Sequence, residues 1–560
     1  MQKPRKKRKG LFIVLVLVVI VIATLSVYAF TDLMIAYDDA SYLSNDIVQA
    51  RVAGESGAEL VRLMLAQPPN SRLEVGGVFN NPQAFRGIPV AQSADGIGVC
   101  NFAVMAPNLG DNGSFGGIRY GLQNESARMN INALPVLEEN YSGIAAAASL
   151  LGGDIADEEV TDETVPESIA IQMLLSLPGM TLEIANAIMD FLDEDDEIRE
   201  PGGAETLEYE LLPSPIKIKN GPLLSVEELL LVQGVTPTLL FGADSNRNGF
   251  LDADEQQRFN VTVDTPGALG WAAYLTVHGA EANKTRDGEL RVNVNLDDLE
   301  TLYEQLLILD NDLYASYIVA FRMSGQPSAS VAAAAGGNTQ QNQNNVTSGG
   351  VWGPGLLESF SVDLSAGGNV QLNQILDLVG STVTLGEGAN ARVFESPFPD
   401  DPLAMTIYMP ILMDNLSTQD IDTLPGRINL MECPAELLYG MGILEDEQIE
   451  EMLTARQSAG DNENFLFETW PLTEGYISID QMRQLMPLVT SGGDVFRAQI
   501  IGYHEKSGAS HRSEYIIDAT TVNPKIISWR DLSHLGRGFD MSVLGINNLN
   551  ESATGSGNAN

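Results

Sequence analysis

With 560 residues, 75 acids against 31 bases and a net charge of −44 at a sequence pI near 4.2, the chain has the length for two or three domains. A surface this acidic repels nucleic acid and anionic lipid and favours cations, which sets nucleic-acid partners aside. Four dispersed histidines give no zinc or catalytic cluster, and the two cysteines, Cys100 and Cys433, allow one long-range bridge or two buried thiols, the second being preferred.

The chain opens on Lys3, Arg5, Lys6, Lys7, Arg8 and Lys9, reaches Gly10, and passes at once into the apolar run 11–30. About 20 apolar residues match a hydrocarbon core of about 30 Å, and the basic stretch stays cytoplasmic, so the body faces outward. No proline stands between Pro4 and Pro68. Ala36, Ala40, Leu43, Ile47, Ala50, Gly54, Gly57, Val61 and Met64 recur at spacings of three and four, so one helix is predicted over 11–67, about 85 Å long at ~1.5 Å per residue. Its small-residue stripe, with Leu43, Ile47, Ala50, Gly54, Gly57 and Val61, is expected to be an interface with a partner.

Three entry motifs follow: Arg128-Met-Asn130-Ile-Asn132, Arg291-Val-Asn293-Val-Asn295 and Arg427-Ile-Asn429-Leu-Met431, each ahead of an apolar helical segment. Asparagines there serve caps and turns. After an acidic insertion at 141–168, residues 169–177, Pro178-Gly179 and 184–191 read as a helix-hairpin-helix, and 437–443 with 446–456 as a looser one. Such hairpins bind DNA where bases flank the turn. Here Asp190, Asp193, Glu194, Asp195, Asp196 and Glu197 follow it, so a scaffold or protein contact is expected, and Asp190, Asp193, Asp195 and Asp196 read as a solvated helix end in preference to a second ion site.

Asp244-Ser-Asn246-Arg-Asn248-Gly249-Phe250-Leu251-Asp252-Ala-Asp-Glu255 fits a twelve-position calcium loop: oxygens at positions 1, 3 and 5, glycine at 6, the Phe250 carbonyl at 7, Asp252 at 9 and Glu255 at 12. Calcium is the expected cofactor, held by an isolated structural loop because only 236–241 leads into it. Residues 326–350 are Ser-, Ala-, Gly-, Asn- and Gln-rich and read as a linker between two halves. A mixed segment, 351–425, comes next, then the second hairpin unit, 426–490. Residues 494–532 alternate as strands in an antiparallel meander, and the tail 541–560 reads as disordered.

A short basic leader ending in glycine and running into a membrane helix resembles the leader of type IV pilins and type II secretion pseudopilins. The resemblance implies cleavage by a prepilin peptidase between Gly10 and Leu11. Most pilins carry glutamate at the fifth mature position; this chain has Leu15, the pattern of the K-type minor pseudopilin of the general secretion pathway. Leu177-Pro178-Gly179-Met180, the stretch from Asp190 to Asp196 with Gly202-Gly203-Ala204-Glu205, and Lys219-Asn220-Gly221-Pro222 are similar to the helical domain of that family. The resemblance implies an α+β fold: a pilin-like long N-terminal helix on a small antiparallel sheet, its pilin-like segment at 68–126, with a large inserted helical (helix-hairpin-helix/SAM-like) domain at 127–325. It further implies a non-enzymatic subunit at the tip of the type II secretion pseudopilus, initiating or capping assembly with I-type and J-type minor pseudopilins. The protein would be a single-pass one of the inner membrane with its body in the periplasm. The alternative is a membrane-anchored helix-hairpin-helix DNA receptor for uptake, which the charge opposes. An envelope enzyme lacks any nucleophile-base pair or phosphate loop to support it.

Overall fold

The computed structural model describes residues 10–92, 98–138, 168–326, 347–360, 362–386, 390–460 and 462–545. The basic leader 1–9, the insertion 141–167, the tail 546–560 and most of 326–350 lie outside the described residues.

Helix α1 (Gly10–Leu65) is continuous over 56 residues. It stops where Pro68 and Pro69 remove backbone donors, and Arg72 donates from Nε to the Gln67 carbonyl and from Nη2 to the Leu65 carbonyl, closing the helix end. Residues 12–45 of the helix are exposed; burial begins in earnest at Ala50.

The C-terminal half of α1 lies on an antiparallel sheet of β1 (Ile88–Gln92), β2 (Val99–Leu109), β3 (Phe115–Tyr120), β4 (Gln123–Asn124), β5 (Val495–His504), β6 (Ser510–Asp518) and β7 (Lys525–Asp531). The order is β1-β2-β5-β6-β7, with β3 also on β2 and β4 also on β5. The sequence alternation in 494–532 is therefore the β5–β6–β7 meander. Period-two alternation sorts its faces. Phe496, Ala498 and Ile500 of β5, with Tyr515 and Ile517 of β6, join Ala58, Val61 and Leu65 of α1 in one core, while Arg497, Gln499, Arg512 and Glu514 point the other way.

The small-residue stripe therefore has an occupant, and it is this chain's own sheet. A Cβ on Gly502 would stand 1.8 Å from the Ala50 carbonyl oxygen, and one on Gly57 would stand 2.7 Å from the Phe102 ring. Ala50, Gly54, Gly57 and Val61 are buried there, correcting their expected role in a partner interface; only Leu43 and Ile47, 48% and 43% exposed, remain open. Small residues were needed for backbone-to-backbone approach within the molecule.

Between β4 and β5 the chain makes a long excursion, 125–494, that builds the helical body. It is three modules, each opened by one entry motif and closed by a parallel two-residue strand. Met129–Asn130 pairs with Leu275–Thr276, Val292–Asn293 with Leu416–Ser417, and Ile428–Asn429 with Val489–Thr490. The first contains helices Ile169–Leu175 and Leu182–Leu192 around a turn with Gly179 at φ +74°, and the third contains Ala435–Gly440 and Asp446–Gln457 around Gly442 at φ +63°.

The middle module revises the domain boundaries. Both ends of the expected linker are strands of one sheet: Gly325–Gln326 pairs with Thr382–Leu385, and Thr347–Val351 with Arg392–Glu395. The chain thus enters and leaves 326–350 from strands of one sheet, inside one module and not between two halves. Low-complexity composition does not report the strands at either end of it. The start of the expected tail is also ordered, since Met541–Leu544 is a helical turn whose Leu544 carbonyl accepts from the buried Tyr503 hydroxyl at 2.7 Å. Cys100 and Cys433 are buried and free.

Candidate functional site

The calcium-loop sequence sits where the first module meets the sheet. The short helix Pro237–Phe241, capped by the Thr236 hydroxyl, stops at Gly242, and the Ala243 N–H donates to the Ala268 carbonyl at 2.7 Å, which fixes the start of the loop. Asp244 then accepts from the N–H groups of Asn248 (3.1 Å) and Gly249 (2.9 Å), one per carboxylate oxygen. Asn246 and Asn248 side-chain oxygens each accept the N–H two residues on. This is the winding that short Asx residues impose, and it needs Gly249 at φ +84°. Leu251 anchors the loop in the main core.

Glu255 closes the ring. Its Oε1 accepts from the Ser245 N–H (2.8 Å), the Ser245 hydroxyl (2.9 Å) and the Asn246 N–H (3.1 Å), while Oε2 accepts from the Asp252 N–H. Asp252 caps the helix Ala253–Phe259 and accepts from the Asn246 amide at 2.7 Å. All six sequence-nominated residues therefore line one loop, with the carboxylates engaged by the loop's own amides. Burial, and then the charge of Glu255, push the Asp244 carboxyl up to about 6. Hard oxygen donors with surplus negative charge fit a divalent cation.

The loop is also a joint. Arg512 on β6 donates to the Asn246 carbonyl (2.8 Å) and the Arg247 carbonyl (2.5 Å), Gln499 on β5 donates to the Arg247 carbonyl (2.9 Å), and Asn248 donates to the Gly538 carbonyl (2.7 Å). Phe250 stacks on Phe539 with centroids 5.8 Å apart. Beside it Glu227 pairs with Arg530 and Arg247, and more deeply Arg497 bridges Glu125 and Glu514. Gln499, Arg512, Gly538 and Phe539 lie more than two hundred positions from the loop, so no local sequence signal marks them.

Residues 127–241, the N-terminal part of the first module, match the family model for type II secretion system (T2SS) protein K. That stretch is similar to the protein K domain of type II secretion. The matched stretch contains the Pro178-Gly179 turn and the acids after it. No curated protein matches the chain in sequence. A solved structure, the GspK-GspI-GspJ complex from the enterotoxigenic Escherichia coli type 2 secretion system, aligns over 89% of this chain and 98% of its own at 12% identity, with a TM-score of 0.29. The fold is accordingly argued from the strand pairing above. Among the described residues, α1 is the one helix long and apolar enough to cross a membrane.

Proposed function

We propose that this chain is a structural minor pseudopilin that initiates or caps the type II secretion pseudopilus at its tip and performs no catalysis. The observation that carries the reading is the K domain itself, set on one face of a sheet whose other face holds a helix with an exposed apolar N-terminal half. That half sits in the inner membrane, the body lies in the periplasm, and prepilin peptidase cuts between Gly10 and Leu11. Leu15 gives no carboxylate to neutralise a neighbour's terminal amine, so entry into a growing homopolymer is disfavoured. A body built from three helical modules obstructs any subunit stacked above it. The acids after the Pro178-Gly179 turn oppose DNA as the ligand.

I-type and J-type minor pseudopilins are the proposed partners, in line with the composition of the solved GspK-GspI-GspJ complex. Because Ala50, Gly54, Gly57 and Val61 are occupied by the sheet, the contact falls on the open face of α1 around Leu43 and Ile47. Calcium is the proposed cofactor of the loop, held by Asp244, Asn246, Asn248, the Phe250 carbonyl, Asp252 and Glu255; once bound it neutralises the carboxylates and stiffens the joint between the first module and the sheet. Co-expression with the two companions and the peptidase should yield a chain beginning at Leu11 in a discrete heteromeric complex. Ile47→Asp should abolish that complex without changing the melting temperature of the body. Long homopolymeric filaments of this chain alone would overturn the proposal.

A further inference from the structure

A cavity of about 290 Å³ lies where the sheet, the first module and the third module meet. β2 supplies Leu109 to its lining, β3 supplies Phe115 and Arg119, the first entry motif supplies Arg128, and helix Asp446–Gln457 supplies Arg456. Three guanidiniums from three separate parts of the chain thus converge on one small space, in a protein whose net charge is −44. Arg119, Arg128 and Arg456 are only 4%, 3% and 8% exposed. The one acid in the lining is Glu432.

The carboxylates at hand do not satisfy these cations. Arg119 Nη2 donates to Glu432 at 3.2 Å, and Arg128 Nη2 donates to Glu125 at 2.6 Å, but Arg497 draws on Glu125 as well. Arg456 Nη1 donates only to main chain, the Leu430 carbonyl at 3.4 Å and the Cys433 carbonyl at 2.8 Å; among the described residues no carboxylate pairs with it within 4.0 Å. Glu436, held by the Tyr274 hydroxyl at 3.3 Å, is not in the lining. Arg128 Nε and Arg456 Nη2 are buried with no hydrogen-bond partner. Such N–H groups are costly in an interior, because the charge gets neither water nor an acceptor. Burial, joined at Arg128 by the charge of Arg497, pushes the Arg119 and Arg128 guanidiniums down to about 10, so positive charge is disfavoured there until an anion offsets it.

We propose that this cavity binds a small organic carboxylate, with Arg119, Arg128 and Arg456 around the anionic end and Leu109, Phe115 and Phe79 against an apolar body. A planar guanidinium matches the planar carboxylate, and Arg119 is already held in place by the Leu122 carbonyl at 2.7 Å and by the Phe79 ring, whose centroid is 3.7 Å away. The size stands at the low end of ligand cavities and admits one aromatic or short aliphatic acid. Inorganic phosphate would leave the aromatic and aliphatic lining uncovered. Phe79, 46% exposed, and the exposed Gln457 stand at the mouth. A free acid and the C-terminal end of a peptide present the same group, and either one, once bound, ties the sheet to the first and third modules at a point separate from the 244–255 loop.

The test is titration calorimetry on the purified full chain in detergent, with two acids each set against its uncharged amide: benzoate with benzamide, and glycylglycylphenylalanine with its C-terminal amide. At least one acid should bind one to one and at least about tenfold more tightly than its amide, a difference of about 1.4 kcal/mol. The tighter of the two acids identifies the source, a free acid or a peptide end. Arg456→Gln should weaken that acid by at least about tenfold and leave its amide unchanged. If Arg456→Gln does not fold, the acid-against-amide comparison on the wild type decides alone. Neither acid binding more tightly than its amide, inorganic phosphate binding where both acids fail, or an unchanged affinity in folded Arg456→Gln would overturn the proposal.

Discussion

Gly502 shows how little room separates α1 from its sheet. Its missing side chain lets the Ala50 carbonyl and the Gly54 N–H of α1 lie directly on β5. Gly502→Ala should destabilise the body by at least about 1–3 kcal/mol, since the methyl cannot fit without lifting the helix. Urea unfolding should show the lower midpoint, and proteolysis should cut near residue 67 faster. At the same scale, Glu255→Gln removes the carboxylate that closes the 244–255 loop and that is proposed here as a calcium ligand. Calcium at 100 times its dissociation constant adds about 2.7 kcal/mol to a native state that binds it alone. Differential scanning in calcium and in chelator should therefore show a gain for wild type and a much smaller one for the variant. An equal gain in both would mean that Glu255 is no ligand. The loop was legible because all its donors fall within twelve residues.

The three modules give one solution repeated. Asn130, Asn293 and Asn429 each accept the N–H two residues on, from Asn132, Asn295 and Met431. On the closing strands the hydroxyls of Thr276, Ser417 and Thr490 do the same for His278, Gln419 and Gly492. In the first two modules the second asparagine ties three strands of chain together. Asn132 donates to the carbonyls of Leu223 and Val277 and accepts from the Leu223 N–H; Asn295 donates to those of Leu372 and Thr418 and accepts from the Leu372 N–H. Losing such a set unpairs buried backbone groups at a cost of about 1–3 kcal/mol, so Asn295→Ala should lower the melting temperature and speed amide exchange around 370–378 while leaving the first module protected. Uniform loss of protection across all modules would contradict that local account. The opening strands were readable as Arg-x-Asn repeats. Their closing partners carry only a Thr or Ser on a two-residue strand, too short for any periodicity, so the extent of the middle module was hidden. The low-complexity composition of 326–350 then looked like a boundary.

For the molecule as a whole, the decisive quantity is charge held against its preference. Asp190 and Asp244 are pushed up to about 6 and Glu205 to about 7, each chiefly by burial, whereas in the unfolded chain such groups titrate near 4. Between roughly pH 4 and 7 the folded state therefore holds more protons than the unfolded one, and stability in chelator must fall as pH rises through that window. Glu125 and Glu227 behave oppositely. Burial opposes their ionisation, but Arg128 and Arg497 for the first and Arg530 for the second hold them down at about 2, so their contribution is lost only as pH falls from about 4 towards 2. The two effects together place maximum stability in chelator near pH 4 to 5. Calcium bound at the proposed loop would replace the missing proton at Asp244 and leave the Arg-paired acids untouched. Melting temperatures recorded from pH 3 to 8 should thus coincide with and without calcium at the acid end and diverge steadily towards neutrality, where the cation restores what deprotonation removed. Curves that run parallel over the whole range would show that these carboxylates are linked to protons alone, and the joint between the first module and the sheet would then depend on Arg512, Gln499 and Asn248 without help from an ion.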